Sequence, residues 1–318
     1  MRHFLKIADF SAKEIDKILN FSLRLKKELK KTGKNKPIFQ DKSLAMIFEK
    51  PSLRTRVSFE VGMTQLGGHA LYLGPNDIQM GKRESIADIS GTLCRYANII
   101  MARVFKHEVL DELVLHSTVP VINALSDLEH PCQIMADLLT MLEHKQKLKG
   151  LKVAFVGDGE NNVTHSLALA AGLMGIDFSV ANPRGYSMKK EVVADAKKFA
   201  KKSGGKINEY NDPQEAVSGV DVIYTDTWIS MGDEAEKAKR LKAFKEFQVT
   251  NKLMNYASKS AVFMHDMPAY RGNEVAEEVI DGPRSIIFDQ AENRLHAQKG
   301  IMVYLIKNST FEKSQGKK

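Results

Sequence analysis

The chain has 318 residues, 43% hydrophobic and 27% charged, which is the composition of a globular protein long enough for two domains. No apolar run of membrane-spanning length and no leader is found, and Cys94 and Cys132 form no metal or disulfide pattern, so we expect a cytoplasmic protein without membrane contact or metal. The formal charge of +8 fits anionic metabolites better than nucleic acid, because the lysines are scattered without interleaved aromatic residues.

The first helix is predicted by Ser11 and Glu14, which have the spacing of a capping box. After a break, the apolar run 43–48 is typical of a buried strand. Ser52 is a good N-cap for the segment that follows and continues as far as Gly67. We therefore predict a strand, a turn and a helix.

This turn has the features of a phosphate site. The first backbone N–H groups of a helix have no partner within the helix, and together with the helix dipole they attract anions. Arg54 and Arg56 add guanidinium groups, and Ser52 and Thr55 add hydroxyl donors. Taken alone, the arginines are equally typical of a capped surface helix.

Three more strands are predicted before the middle of the chain, at residues 70–74, 98–105 and 120–125. A polar loop containing Gln79 follows the first of them. Arg103 lies near the end of the second, where open α/β sheets bind ligands, although a paired structural arginine is the alternative. His130 follows the third and precedes Pro131, which begins a helix; a lone histidine there is more often a packing or capping residue.

The second half of the chain begins after a hydrophilic break, and we place a domain boundary near residue 147. Strands then alternate with helices, which predicts a second parallel sheet flanked by helices. The turn 157–162 resembles a dinucleotide motif but has Asn162 in place of its third glycine, so an ordinary strand-to-helix turn is the better interpretation.

A second polar site is indicated by residues 225–233, which follow a predicted strand and include the only tryptophan. Asp226 can bind an ammonium group, whereas Ser230 and the backbone of Met231 can contact a carboxylate. Helix capping is the alternative role for Asp226 and Ser230. The last apolar helix begins near residue 288 and contains Arg294.

Several of these motifs resemble those of one family. Residues 52–56 are similar to the Ser-Thr-Arg-Thr-Arg signature of the aspartate and ornithine carbamoyltransferases, and residues 130–133 match their His-Pro-x-Gln motif. Residues 226–232 resemble the Asp-x-x-x-Ser-Met-Gly motif of the ornithine-specific branch. The arginine-rich element that reads aspartate in the sister branch is missing.

The resemblance covers nearly the whole chain and implies an α/β fold. It implies two domains, each a parallel sheet flanked by helices, joined by two interdomain helices. Residues 1–146, completed by the C-terminal helix 291–308, would bind carbamoyl phosphate, and residues 147–290 would bind ornithine. The implied reaction transfers the carbamoyl group to the side-chain amine of L-ornithine, giving L-citrulline and phosphate, as part of arginine metabolism. No metal or organic cofactor is implied, since carbamoyl phosphate is already activated.

The same resemblance implies two sets of binding residues. Those for carbamoyl phosphate are Ser52, Leu53, Arg54, Thr55, Gln79, Arg103, His130, Gln133 and Arg294. Those for ornithine are Asn162, Asp226, Ser230, Met231, Asp266 and Met267. Arg103 and His130 would act on the carbamoyl oxygen, where they and Thr55 would stabilise the charge that develops during attack. Gln79 would reach the site of a neighbouring subunit in a homotrimer.

Two places depart from the family pattern. Leu53 replaces a threonine, which removes a hydroxyl but keeps the backbone N–H, and Asp266 and Met267 replace the usual Cys and Leu. We hypothesise that Asp266 orients the ornithine ammonium group and acts as its base, as a third catalytic residue beside Arg103 and His130. The alternatives are a carbamoyltransferase for another amine, such as putrescine or an acylated ornithine, a binding paralogue without catalysis, and an RNA-binding role.

Overall fold

The computed structural model describes residues 1–229 and 234–315, so Ser230 and Met231 lie outside the described residues. The chain divides into two compact units, Met1–Leu139 with Glu292–Lys318, and Thr140–Ala291. Each unit contains one parallel sheet flanked by helices, as predicted. Among the helices of the described ranges, none has the length and apolar character needed to span a bilayer.

As far as residue 315, the first unit contains four strands: β1 (Ser43–Phe48), β2 (His69–Leu73), β3 (Ile99–Arg103) and β4 (Val121–Leu125). Its helices before the division at residue 139 are α1 (Ala12–Thr32), α2 (Leu53–Gln65), α3 (Pro75–Ile78), α4 (Ile86–Tyr96), α5 (Glu108–Leu115) and the beginning of α6 (Pro131–Lys145), with a 3-10 turn at Ile7–Asp9. The predicted capping box is confirmed, since Ser11 N donates to Glu14 Oε2 at 2.9 Å and Glu14 N donates to Ser11 Oγ at 3.4 Å.

The strand order in this unit is β2-β1-β3-β4, with every neighbour parallel. The three strands β1, β3 and β4 are buried almost throughout, as expected for a sheet covered on both faces. The register pairs Phe48 with Arg103 and Arg103 with Leu125. The loops after these three strands therefore leave the same edge of the sheet side by side.

The described residues of the second unit form five strands: β5 (Lys152–Val156), β6 (Asp177–Ala181), β7 (Lys206–Tyr210), β8 (Val222–Thr225) and β9 (Val262–His265). Its helices are α7 (Asn162–Met174), α8 (Lys190–Ser203), α9 (Pro213–Val217), α10 (Lys237–Phe244), α11 (Asn251–Met254), α12 (Glu277–Ile280) and the beginning of α13 (Ile287–Gln315), with 3-10 turns at Glu234–Glu236 and Lys245–Phe247.

The strand order of the second sheet is β7-β6-β5-β8-β9, again parallel throughout. The chain moves outward on one side of β5 and then returns to its other side, so the order reverses between β5 and β8. Such a reversal opens a crevice at the carboxyl ends of the strands. Both divisions of the chain between the units, at residues 139 and 291, fall inside helices, α6 and α13.

Candidate active site

The predicted phosphate turn has the expected geometry. Ser52 is the N-cap of α2, and its Oγ accepts a hydrogen bond from Thr55 N at 3.4 Å and donates one to Thr55 Oγ1 at 3.1 Å. The Thr55 amide is therefore used by the cap, which leaves the amides of Leu53 and Arg54 as the first-turn donors that the helix itself cannot satisfy. The Leu53 side chain is 73% exposed, so this residue can contribute to an anion site only through its backbone N–H.

The expectation that Arg56 adds to the phosphate charge is wrong. Its Nε donates to Glu60 at 3.2 Å, and its guanidinium lies 4.0 Å from the centre of the Tyr72 ring. Residues two apart on a helix point in nearly opposite directions, so Arg54 and Arg56 cannot share one face. The phosphate turn therefore has one arginine of its own.

Two further predicted residues meet at this turn. Arg294, in the part of α13 that belongs to the first unit, donates from Nη2 to Thr55 Oγ1 at 3.3 Å and from Nη1 to Gln133 Oε1. Gln133 in turn donates from Nε2 to Asp137 Oδ1 at 2.9 Å. Because Arg294, Thr55 and Gln133 are all buried, this network fixes the orientation of groups that sequence places far apart.

His130 lies at the start of α6 and is only 3% exposed. Burial lowers its pKa well below the ordinary value, and the positive charges of Arg294, Arg103 and Arg54 lower it further. The imidazole is therefore neutral at physiological pH and can donate only one N–H. The three predicted arginines are thus close enough to His130 for their charges to lower its pKa.

Gln79 lies outside this cluster. It ends the short helix α3 with a left-handed backbone, φ 44°, and its side chain is exposed. Gln79 is therefore the predicted carbamoyl phosphate residue that does not join the other predicted residues within the first unit.

In the second unit, the turn after β5 brings Asn161, the neighbour of the predicted Asn162, into contact with Asp226. Asn161 is the N-cap of α7, its Oδ1 accepting from Val163 N at 2.7 Å, and its Nδ2 donates to Asp226 Oδ2 at 2.7 Å. Asn162 is the first helical residue and is half-buried. An asparagine just before a helix is a frequent N-cap, and this signal was available in the sequence.

Asp226 and Asp266 follow the adjacent strands β8 and β9. Burial raises the pKa of Asp226 well above its ordinary value, and both the charge of Asp266 and a hydrogen bond with it raise the pKa further. Two carboxylates cannot share a hydrogen bond unless one of them holds a proton. One ligand atom each from Asp226, His265 and Asp266 lies within 4.8 Å of the others, so a single cation can contact all three.

His265 is fully buried between carboxylates. Burial lowers the pKa of this imidazole, whereas the neighbouring carboxylates of Asp266 and Glu274 act in the other direction and favour its protonated form. That protonated state conflicts with the hydrogen bond that Met267 N donates to Nδ1 at 2.9 Å, which needs a lone pair. In this geometry the ring is neutral, with its hydrogen on Nε2, 3.2 Å from Glu274 Oε1. Met267 itself has a left-handed backbone, φ 58°, and packs against the apolar core.

A buried ion pair that the sequence did not indicate supports this site. Arg240 of α10 pairs with Asp158, which follows β5, and its Nε donates to Trp228 O at 2.6 Å. Its guanidinium also lies 5.1 Å from the Tyr186 ring centre. Arg240 joins the loop after β5 to the loop after β8, and no local motif links residues 158 and 240.

Two parallel sheets, each with charged side chains gathered at the carboxyl ends of its strands, define an α/β enzyme of the open-sheet class. Two family models match the chain: the carbamoyl-P binding domain of aspartate/ornithine carbamoyltransferase over residues 2–143, and its Asp/Orn binding domain over residues 149–305. The chain belongs to the aspartate/ornithine carbamoyltransferase family.

Individual relatives match this chain over nearly their full length. An ornithine carbamoyltransferase of Anoxybacillus flavithermus is 52% identical over 96% of this chain and 96% of its own. One from Methanosarcina acetivorans is 50% identical over 96% of this chain and 99% of its own. The solved ornithine carbamoyltransferase of Pyrococcus furiosus superposes with a TM-score of 0.93 at 49% identity, covering 96% and 97% of the two chains.

Proposed function

We propose that this protein is an ornithine carbamoyltransferase, which transfers the carbamoyl group of carbamoyl phosphate to the side-chain amine of L-ornithine and releases L-citrulline and phosphate. The observation that carries the proposal is the buried Arg294, which donates hydrogen bonds to Thr55 of the phosphate turn and to Gln133 of the His-Pro-x-Gln motif. The names of the full-length relatives support ornithine as the acceptor.

In the proposed mechanism, the phosphate group binds at the start of α2. Ser52, Arg54, Thr55 and the backbone N–H of Leu53 hold its oxygens, a role supported by the helix N-terminus and the capped turn. Arg103 and the single N–H of neutral His130 donate to the carbamoyl oxygen and stabilise the charge that develops on it. Gln133 holds the carbamoyl amide, and Arg294 keeps Gln133 and Thr55 in place. The neutral amine of ornithine attacks the carbamoyl carbon and forms the new C–N bond. The C–O bond to phosphate then breaks, and phosphate leaves from a site that already neutralises its charge.

Ornithine is proposed to bind in the second unit. Asp226 and Asp266 would take the side-chain ammonium group in place of the proton that they share. Asn162 would contact the amino-acid head, with Met267 lining the site and Ser230 and Met231 contributing from outside the described residues. Only a neutral amine is nucleophilic, so the ammonium group must lose a proton, and Asp266 is the proposed acceptor.

We further propose a homotrimer in which Gln79 serves a neighbouring subunit. The exposed position of Gln79 supports this role. So does an apolar stripe on α2, where Leu53, Val57 and Val61 are 73%, 46% and 38% exposed at intervals of four residues. A cytoplasmic location is proposed because Cys94 and Cys132 are both free thiols. No nucleic-acid partner is proposed.

The test is carbamoyl-phosphate-dependent citrulline formation by the purified protein, with putrescine and acetylornithine as competing amines. We expect turnover with ornithine and a fall of about 100-fold in kcat/KM for carbamoyl phosphate in Arg54→Ala, since a preorganised charge is lost. Arg56→Gln is the matched control on the same helix, and its kcat/KM should stay within about threefold because Arg56 faces Glu60 and Tyr72. Binding of carbamoyl phosphate without turnover would contradict the proposal.

A further inference from the structure

The segment of residues 104–107, called here the bridge segment, lies between two loops that carry proposed catalytic groups. It directly follows Arg103, the last residue of β3. On one side the loop after β1 leads to the phosphate turn, and on the other the loop after β4 leads to His130. Val104 is buried, but Phe105 is 46% exposed and Lys106 is also exposed. The two ends of the segment, Val104 and His107, are therefore buried, and its middle is exposed.

Glu49 holds the bridge segment to the loop after β1. The Glu49 amide donates to Arg103 O at 2.9 Å, and its carboxylate Oε2 accepts from Phe105 N at 2.6 Å. Glu49 lies three residues before Ser52, the cap of the phosphate turn. One residue thus holds both ends of the Arg103–Phe105 backbone at a set distance from that turn.

Asp127 holds the same segment from the other side. Its amide donates to Phe105 O at 3.0 Å, and its Oδ1 accepts from His107 N at 3.0 Å. The ring of His107 also contacts the buried Ser126 Oγ through Nδ1 at 2.8 Å. His130 lies three residues after Asp127 in the same loop. The bridge segment is therefore bonded to the loop that carries His130 through backbone and side chain together.

We propose that Glu49 and Asp127 are positioning residues for carbamoyl transfer, which act by holding the bridge segment so that Arg103 and His130 meet the same carbamoyl oxygen. This inference rests on the proposed function. Neither carboxylate contacts carbamoyl phosphate in the proposed mechanism. Their role is to set the spacing of three loops, and a displacement of about 1 Å at a catalytic group costs as much as 100-fold in rate.

Paired substitutions separate this role from general stability. Glu49→Gln and Asp127→Asn keep an oxygen that can accept the hydrogen bond from Phe105 N or His107 N, whereas Glu49→Leu and Asp127→Leu remove it. Lys106→Ala is the control in the bridge segment, because it removes only an exposed ion pair with Asp127, Nζ to Oδ2 3.0 Å. The measurements are kcat, the affinity for inorganic phosphate by calorimetry, and hydrogen exchange at the Phe105 amide.

We expect kcat to fall about 10- to 100-fold in both leucine variants, while phosphate affinity changes by less than about threefold because the cap of α2 is untouched. The amide-bearing variants and Lys106→Ala should keep kcat within about threefold, and exchange at Phe105 should accelerate only in Glu49→Leu. Wild-type kcat in the leucine variants would overturn the proposal, and so would an equal loss of kcat and phosphate affinity.

Failure of the proposed function gives a different result. If the wild-type protein formed no citrulline, the carbamoyl transfer assignment would fall. The exchange rate at Phe105 would still decide the inference about the bridge segment, because an unchanged rate in Glu49→Leu means that Glu49 does not hold it.

Discussion

Arg294 donates a hydrogen bond from Nη1 to Oε1 of Gln133, although the two residues are 161 positions apart in sequence. Its second amino group reaches Thr55 Oγ1. The guanidinium fork therefore holds one residue of α6 and one of α2 at the same time. A planar group with several donors in fixed directions is suited to this task, and an ammonium group is not.

The first prediction concerns this fork. Arg294→Met should lower kcat/KM for carbamoyl phosphate by about 100-fold, and Arg294→Lys should recover little of the loss because one ammonium cannot replace two directed donors. Arg294 also lowers the pKa of His130, so its removal should raise that pKa and move the acid limb of kcat toward neutral pH. Initial rates between pH 5.5 and 9 measure both effects. Full activity of Arg294→Lys would contradict this assignment.

The second prediction concerns the shared proton in the ornithine site. Asp266 raises the pKa of Asp226 through its charge and its hydrogen bond, so Asp266→Asn should lower that pKa. Asp226 then becomes ionised at lower pH, and the acid limb of kcat/KM for ornithine should move in the acid direction. The lost charge should raise KM for ornithine roughly 10- to 100-fold.

Asp266→Cys is the matched variant, since cysteine is the usual residue in the family pattern. It should also move the acid limb of kcat/KM for ornithine to lower pH, because the thiol is uncharged there. If both variants kept the wild-type pH profile and kcat, neither the shared proton nor a catalytic role for Asp266 would stand.

The third prediction concerns the buried pair of Asp158 and Arg240. Arg240→Met should lower the free energy of unfolding by about 3–5 kcal/mol near pH 7.5, because it leaves a buried carboxylate without its partner. Burial raises the pKa of Asp158 to about 6 despite the opposing charge of Arg240. As pH falls through 6, Asp158 becomes protonated and the wild-type pair is lost.

Urea unfolding at pH 7.5 and 5 tests this sign directly. The difference in unfolding free energy between wild type and Arg240→Met should shrink at pH 5, where both proteins contain a neutral Asp158. A difference that grew on acidification would mean that the pair retains its charge there.

The fourth prediction concerns Lys299, a fully buried lysine of α13. Its Nζ donates to Asn35 Oδ1 and Gln65 Oε1, both at 2.8 Å, and burial lowers its pKa to about 8. Between pH 8 and 10.5 the unfolded chain therefore binds a proton that the folded chain does not, so this group makes stability rise with pH.

The rise should amount to about 1.4 kcal/mol per pH unit at most. Lys299→Met removes the titrating group at similar side-chain length, so its stability should gain less than that of wild type between pH 7.5 and 9.5. Parallel changes in the two proteins would show that Lys299 does not titrate in this range.

Much of the fold could be predicted from sequence because its signals are local. Ser11 with Glu14, and Ser52 before α2, cap their helices through hydrogen bonds to residues three positions away. Most strands of both sheets are short apolar runs, and their alternation with helices indicates parallel pairing. The phosphate turn belongs to the same class of signal, since a strand, a cap and a helix N-terminus are adjacent in the chain.

The tertiary structure decided which residues act together. Arg54 and Arg56 look equivalent in sequence, but the helix period turns one toward Glu60 and Tyr72 and leaves the other near His130. Asn161 contacts Asp226 across 65 positions, and Arg240 reaches Asp158 across 82 positions. Hydrogen bonds and charges act over a few ångströms of space, and the strand order of each sheet determines which distant loops come that close.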